Sequence, residues 1–196
     1  RVVYQDLVKI NKAIEDKSIL SNKEIINAFS YAKQNGKSIH FMGLASNGGV
    51  HSSLVHLYAL CDIAKEYGLQ DVFIHCFMDG RDVPPSSGKH YVEQLQAKMQ
   101  QLGVGQIATV IGRFYSMDRD KRWERLQRAY DAMVCGEAPF VADAAEEYSD
   151  HCGKDDYDEY LAYSDIVCDR CKDCYVIDED SFAYRYSAEE VTQMML

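Results

Sequence analysis

Apolar and polar positions alternate along this chain with two different periods. Leu7, Ile10 and Ile14 fall three or four residues apart, which predicts a helix over Tyr4–Asp16. Ser21-Asn22-Lys23-Glu24 has the S-x-x-E form of a capping box, and a second helix is expected from there to about Gln34, stopped by Gly36. From Ser38 the period shortens. Ser38–Leu44 reads as a strand, followed by the loop Ala45–Ser53 and a helix over Ser53–Tyr67 with Leu54, Leu57, Cys61 and Ala64 inward. Asp71–Phe77 is the second strand, and its loop runs from Met78 to Gly88. The next helix reaches about Leu102, with Tyr91, Leu95 and Met99 on its inner face. Gln106–Ile111 is the third strand, and a helix over Asp120–Val134 closes the unit. Past Cys135 the pattern fades. Residues 137–180 are acidic and poorly periodic, with short strands expected at Tyr175–Ile177 and Phe182–Arg185.

Strand, long loop and helix in repetition predict the α/β class. The expected architecture is a three-layer α/β/α domain on a largely parallel sheet that admits a mixed strand, with right-handed crossovers. Residues 1–36 form a leading helical segment, 37–137 the α/β core, and 138–196 an acidic, cysteine-containing remainder of the same domain. In such sheets ligands bind beyond the carboxyl ends of the strands. The three unusual loops all follow strands, so one rim should gather His51, Arg81 with Asp82, and Arg113 with Arg119.

Charge sharpens that expectation. The net charge of −10 argues against nucleic acid as a partner. Yet Gly112–Arg125 holds five Arg or Lys among fourteen residues, together with the only Trp. A guanidinium donates two parallel hydrogen bonds to phosphate or carboxylate. The stretch therefore reads either as a seat for a small anion or as a solvated helical turn with i,i+4 charge pairs. Convergence of the other loops favours the anion. Gly48 and Gly49 let backbone N–H groups approach a ligand, and Pro84 and Pro85 stiffen the loop that carries Arg81 and Asp82. Those two residues make either a local ion pair or a division of labour, the Arg fixing a phosphate and the Asp handling a hydroxyl proton. Tyr115 and Trp123 are expected to pack the cationic loop down, and Lys121, Arg122, Arg125 and Arg128 to be mostly solvated on the next helix.

Seven cysteines, with Cys61 and Cys76 inside apolar patterns, predict free thiols in a reducing, cytoplasmic setting. Cys168, Cys171 and Cys174 have C-x-x-C-x-x-C spacing, with His151 and Cys152 upstream. A structural metal on Cys152, Cys168, Cys171 and Cys174 is the weaker alternative to free thiols, since no second regular C-x-x-C pair is present. No apolar run approaches the ~20 residues that span a bilayer, so no membrane is expected. The chain opens on Arg1, as a processed chain or an excised fragment would. It lacks a Walker A loop, a G-x-S-x-G elbow and an H-E-x-x-H pair. It reads as a binder of a phosphorylated small molecule that does not complete the chemistry alone.

Four segments carry a family resemblance: Tyr4–Leu7 with Ile10–Ile14; Met42–Leu44 leading to Gly48–Ser52; Asp79–Pro85; and Gly112–Arg125. Residues 1–137 resemble the substrate-binding, or phosphotransferase, domain of cofactor-independent phosphoglycerate mutases. The resemblance implies a single domain inserted into a two-domain glycolytic isomerase. The other domain, of alkaline-phosphatase type, would carry a serine nucleophile and two metal ions, usually manganese, with no cofactor in this chain. The implied ligands are 3-phosphoglycerate and 2-phosphoglycerate, held by His51, Arg81, Asp82, Arg113 and Arg119, with Asp82 in proton transfer. Three positions depart from the family pattern. Asn47 replaces an acid and Ser53 an imidazole, and only Arg185 remains of a late Arg-x-Asp-Arg segment. Two rivals follow: a degenerate, non-catalytic phospho-ligand or regulatory module of the same fold, and a metal-stabilised interaction module on the cysteines.

Overall fold

The computed structural model describes residues 3–138 and the short strand Ile166–Val167. Two helices lead, α1 (Asp6–Glu15) and α2 (Lys23–Asn35). The cap of α2 lies one residue later than the S-x-x-E motif predicts. Ser21 ends a 3-10 turn, Ser18–Ser21, and Asn22 caps the helix by accepting from the amides of Glu24 and Ile25 at 3.0 and 3.2 Å. Asn22 takes the cap because its side-chain oxygen reaches two orphan amides at once.

The core alternates as expected: β1 (Ile39–Leu44), α3 (Leu54–Tyr67), β2 (Val72–Met78), α4 (Gly88–Leu102) and β3 (Gln106–Gly112). β1, β2 and β3 pair in parallel and in sequence order. Right-handed crossovers between neighbours in that order lay both connecting helices on one face. Ile74, Cys76 and Met78 of β2 accordingly pack with Leu54 and Cys61 of α3 and Val92, Leu95 and Met99 of α4. Leu54, Val92 and Leu95 are completely buried, each side chain stabilising the fold by about 1.5–3 kcal/mol. The opposite face of β2 presents Phe77 to Leu44, Ile111, Ala129 and Met133. Helical elements therefore cover both faces, giving three layers. Every residue of β2 is buried, which explains a run that is apolar except for His75.

The last elements differ from the periodicity reading. Arg113–Ser116 is not loop but a single helical turn, α5. The helix expected over Asp120–Val134 is shorter: α6 spans Trp123–Tyr130 and continues as a π turn, Asp131–Cys135. A fourth strand, β4 (Ile166–Val167), pairs antiparallel with β3 and makes the sheet mixed. The strands expected at Tyr175–Ile177 and Phe182–Arg185, the cysteines at 152, 168, 171 and 174, and Arg185 lie outside the described residues. Among the described residues no helix is long and apolar enough to cross a membrane.

Candidate functional site

Parallel register brings the strand ends level: Leu44 pairs with Phe77, Phe77 with Ile111, and Met78 with Gly112. The loops leaving β1, β2 and β3 therefore start from one edge, and they touch. At its centre is Asp79, the first residue beyond β2, which is 1% exposed. Its Oδ1 accepts from the backbone amides of Arg81 and Asp82, both at 3.0 Å, and from Arg113 Nη1 at 2.9 Å. Its Oδ2 accepts from Ser46 Oγ of the β1 loop at 2.7 Å. Burial pushes the Asp79 carboxyl up, but these hydrogen bonds outweigh it and hold the group below the usual carboxylate range.

Arg113 Nη1 also donates to Asp82 Oδ2 at 2.8 Å, so one nitrogen bridges two carboxylates. Burial disfavours the guanidinium charge, and the bonds to Asp82 and Asp79 more than restore it. Gly48 closes the β1 side. A Cβ there would lie 2.8 Å from Asp82 Cβ and 3.2 Å from its carbonyl oxygen, so only glycine allows this approach.

A family model described as "BPG-independent PGAM N-terminus" matches residues 10–193. The chain belongs to this mutase N-terminal family. Over 161 residues it is 58% identical to the 2,3-bisphosphoglycerate-independent phosphoglycerate mutase of Bacteroides thetaiotaomicron, covering 82% of this chain and 32% of that protein. The enzyme of the same name from Moorella thermoacetica is 45% identical over 195 residues, covering 99% of this chain and 38% of that one. Among solved structures, phosphoglycerate mutase of Leishmania mexicana, crystallised at low cobalt concentration, is similar with a TM-score of 0.78 and 27% identity. That match covers 88% of this chain and 33% of its counterpart. The chain thus spans about a third of the length of the curated relatives it matches.

Within this mutase-family domain the predicted site residues fall into two groups. Asp82 and Arg113 are joined directly, so the ion pair at Asp82 is made with Arg113 rather than with its neighbour Arg81. Arg81, Arg119 and His51 are exposed, and their side chains make no ion pair with a described residue. Tyr115 packs inward as expected at 8% exposure, whereas Trp123 stays 53% exposed. Arg125 and Arg128 are not simply solvated: Arg125 pairs with Asp118 and Arg128 donates to Tyr115 Oη at 2.7 Å. The residue that sequence reasoning missed is Asp79. Its signal was an Asp-Gly pair directly after a mostly apolar strand, the composition of an Asx turn that bonds amides two and three residues on.

The two departures near β1 have structural roles. Asn47 Oδ1 accepts from the Leu54 amide at 3.2 Å, and Ser53 Oγ from the Val55 amide at 3.3 Å, both closing the start of α3. Cys61 and Cys76 are buried free thiols, pushed by burial to about 12 each, and take no part at the rim.

Proposed function

We propose that this chain is the substrate-binding part of a BPG-independent phosphoglycerate mutase, an isomerase interconverting 3-phosphoglycerate and 2-phosphoglycerate. The observation that supports it is the reach of Arg113 from the end of β3 to Asp79 and Asp82 at the end of β2, inside a chain matched to that family over residues 10–193. In this reading the exposed Arg81, Arg119 and His51 grip the phosphate and carboxylate of the substrate by charge-assisted hydrogen bonds. Arg113, with Nε and Nη2 bonded to no described residue, adds donors from the floor of the site. Asp82 takes and returns the proton of the glycerate hydroxyls while Arg113 fixes its orientation. Arg185 would add a further clamp.

The serine that carries the phosphoryl group and two divalent metals, manganese in the resemblance, belong to an alkaline-phosphatase-like domain elsewhere in the same polypeptide. Such metals would activate the serine and neutralise the phosphoryl oxygens. Among the described residues no cluster of three or more His, Cys, Asp or Glu could hold a metal.

Calorimetric titration of the purified chain with 3-phosphoglycerate tests the reading. Arg81→Ala, at an exposed side chain without an ion pair among the described residues, should weaken binding by about ten- to a hundredfold, the loss of one charge-assisted bond. Binding unchanged by that substitution, or no binding by the parent, would refute it.

A further inference from the structure

The segment between α5 and α6 holds an arrangement that substrate binding, as described, does not use. Asp118 is 6% exposed, although residues 119–122 around it are all exposed. Its Oδ2 accepts from the amides of Asp120 at 3.2 Å and Arg122 at 2.8 Å, and its Oδ1 from Arg125 Nη1 at 3.1 Å. These bonds hold its carboxyl below the ordinary range despite burial. The Arg125 guanidinium in turn lies over the Phe114 ring, 3.8 Å from its centroid. Phe114 adjoins Arg113. Lys121 sits at φ 60°, a left-handed conformation costing a non-glycine residue about 1 kcal/mol. Such strain persists only where the surroundings over-determine the backbone. One buried carboxylate thus ties the segment to α6, whose Arg125 stacks on Phe114 of α5, and Arg119, next to that carboxylate, is exposed.

We infer that Asp118 and Arg125 are a positioning pair, which presets the Arg119 guanidinium at a fixed offset from Arg113 to receive an anionic group of the phosphoglycerate. Ligand binding then avoids the entropy of ordering the loop. This rests on the phosphoglycerate reading of the rim. Asp118 touches no substrate and acts only through Arg119.

A double-mutant cycle separates that role from general stability, with 3-phosphoglycerate as titrant and the parent chain, Asp118→Asn, Arg119→Ala and the double variant as samples. Asp118→Asn keeps an oxygen for the two amides but removes the charge that holds Arg125. It should weaken binding about tenfold when Arg119 is present and less than about twofold when residue 119 is Ala. Should Asp118→Asn fail to fold, Arg125→Ala reports the same coupling, because the amide bonds to Asp118 survive it. Equal losses in both backgrounds would overturn this inference alone, whereas full affinity in Arg119→Ala would overturn both the grip assigned to Arg119 at the rim and this inference. A parent chain that does not bind 3-phosphoglycerate would overturn the reading of the rim and this inference with it.

Discussion

Replacing Asp79 by Ala removes one acceptor group from four donors: Ser46 Oγ, the amides of Arg81 and Asp82, and Arg113 Nη1. Their costs differ with their surroundings. Ser46 is 1% exposed, so its orphaned hydroxyl finds no water and costs about 1–3 kcal/mol. The two amides lie in the more open loop and regain solvent at about 0.5 kcal/mol each. Arg113 keeps Asp82 at 2.8 Å, so its share falls below the ~3–5 kcal/mol of a buried charge left alone. The sum is about 3 kcal/mol at neutral pH. Asp79→Asn retains an oxygen for the amides but loses the charge facing Arg113, and should cost about half as much.

Urea unfolding followed by far-UV circular dichroism reads the difference. The pH dependence gives an independent check. The folded-state pKa of Asp79 is depressed, so the unfolded chain binds its proton more readily than the folded one. The contribution is therefore complete above the ordinary value of 3.8 and is lost as pH falls through that value toward the folded one. The gap between parent and Asp79→Ala should narrow below about pH 4. A gap under about 0.5 kcal/mol at neutral pH, the range of an ordinary surface change, would show that Asp79 is not what ties the loops together.

Gly48→Ala places a methyl 2.8 Å from Asp82 Cβ and should cost about 1–3 kcal/mol by overpacking while also reducing 3-phosphoglycerate affinity. Gly36→Ala, at φ +59° in open space, should cost about 1 kcal/mol and leave binding alone. Equal binding by both variants would contradict the close approach at Gly48. His75, 2% exposed between His40 Nδ1 at 3.0 Å and Thr109 Oγ1 at 2.9 Å, is pushed down to about 3 by burial and by His40. The unfolded chain protonates first below 6.5, so stability should fall from there, by about 2 kcal/mol at about pH 5. His75→Gln should flatten the slope of urea midpoints over that interval, and an unaltered slope would assign the acid sensitivity elsewhere.

Periodicity alone located each of the three parallel strands to within a residue, and α3 and α4 with them. These elements follow from local rules: β2 is apolar on both faces, and Gly68 and Gly103 stop α3 and α4. The α/β class and the rim followed too, because a parallel strand must hand its loop to the same edge as its neighbour. The weaker local signals misled. Asn22 displaced Ser21 as a cap, and α6 gave way to a π turn at Asp131.

What the chain could not disclose is which groups pair across it. Ser46 and Asp79 are 33 residues apart, and Arg113 and Asp79 are 34. No spacing rule links them; level strand ends do. The sequence by itself determined that the loops carrying Asp82 and Arg113 leave parallel strands at one edge. Only the tertiary structure decided that Arg113 is partly committed to two carboxylates while Arg81 and Arg119 face solvent, because hydrogen-bond partners are chosen by distance in space and not along the chain.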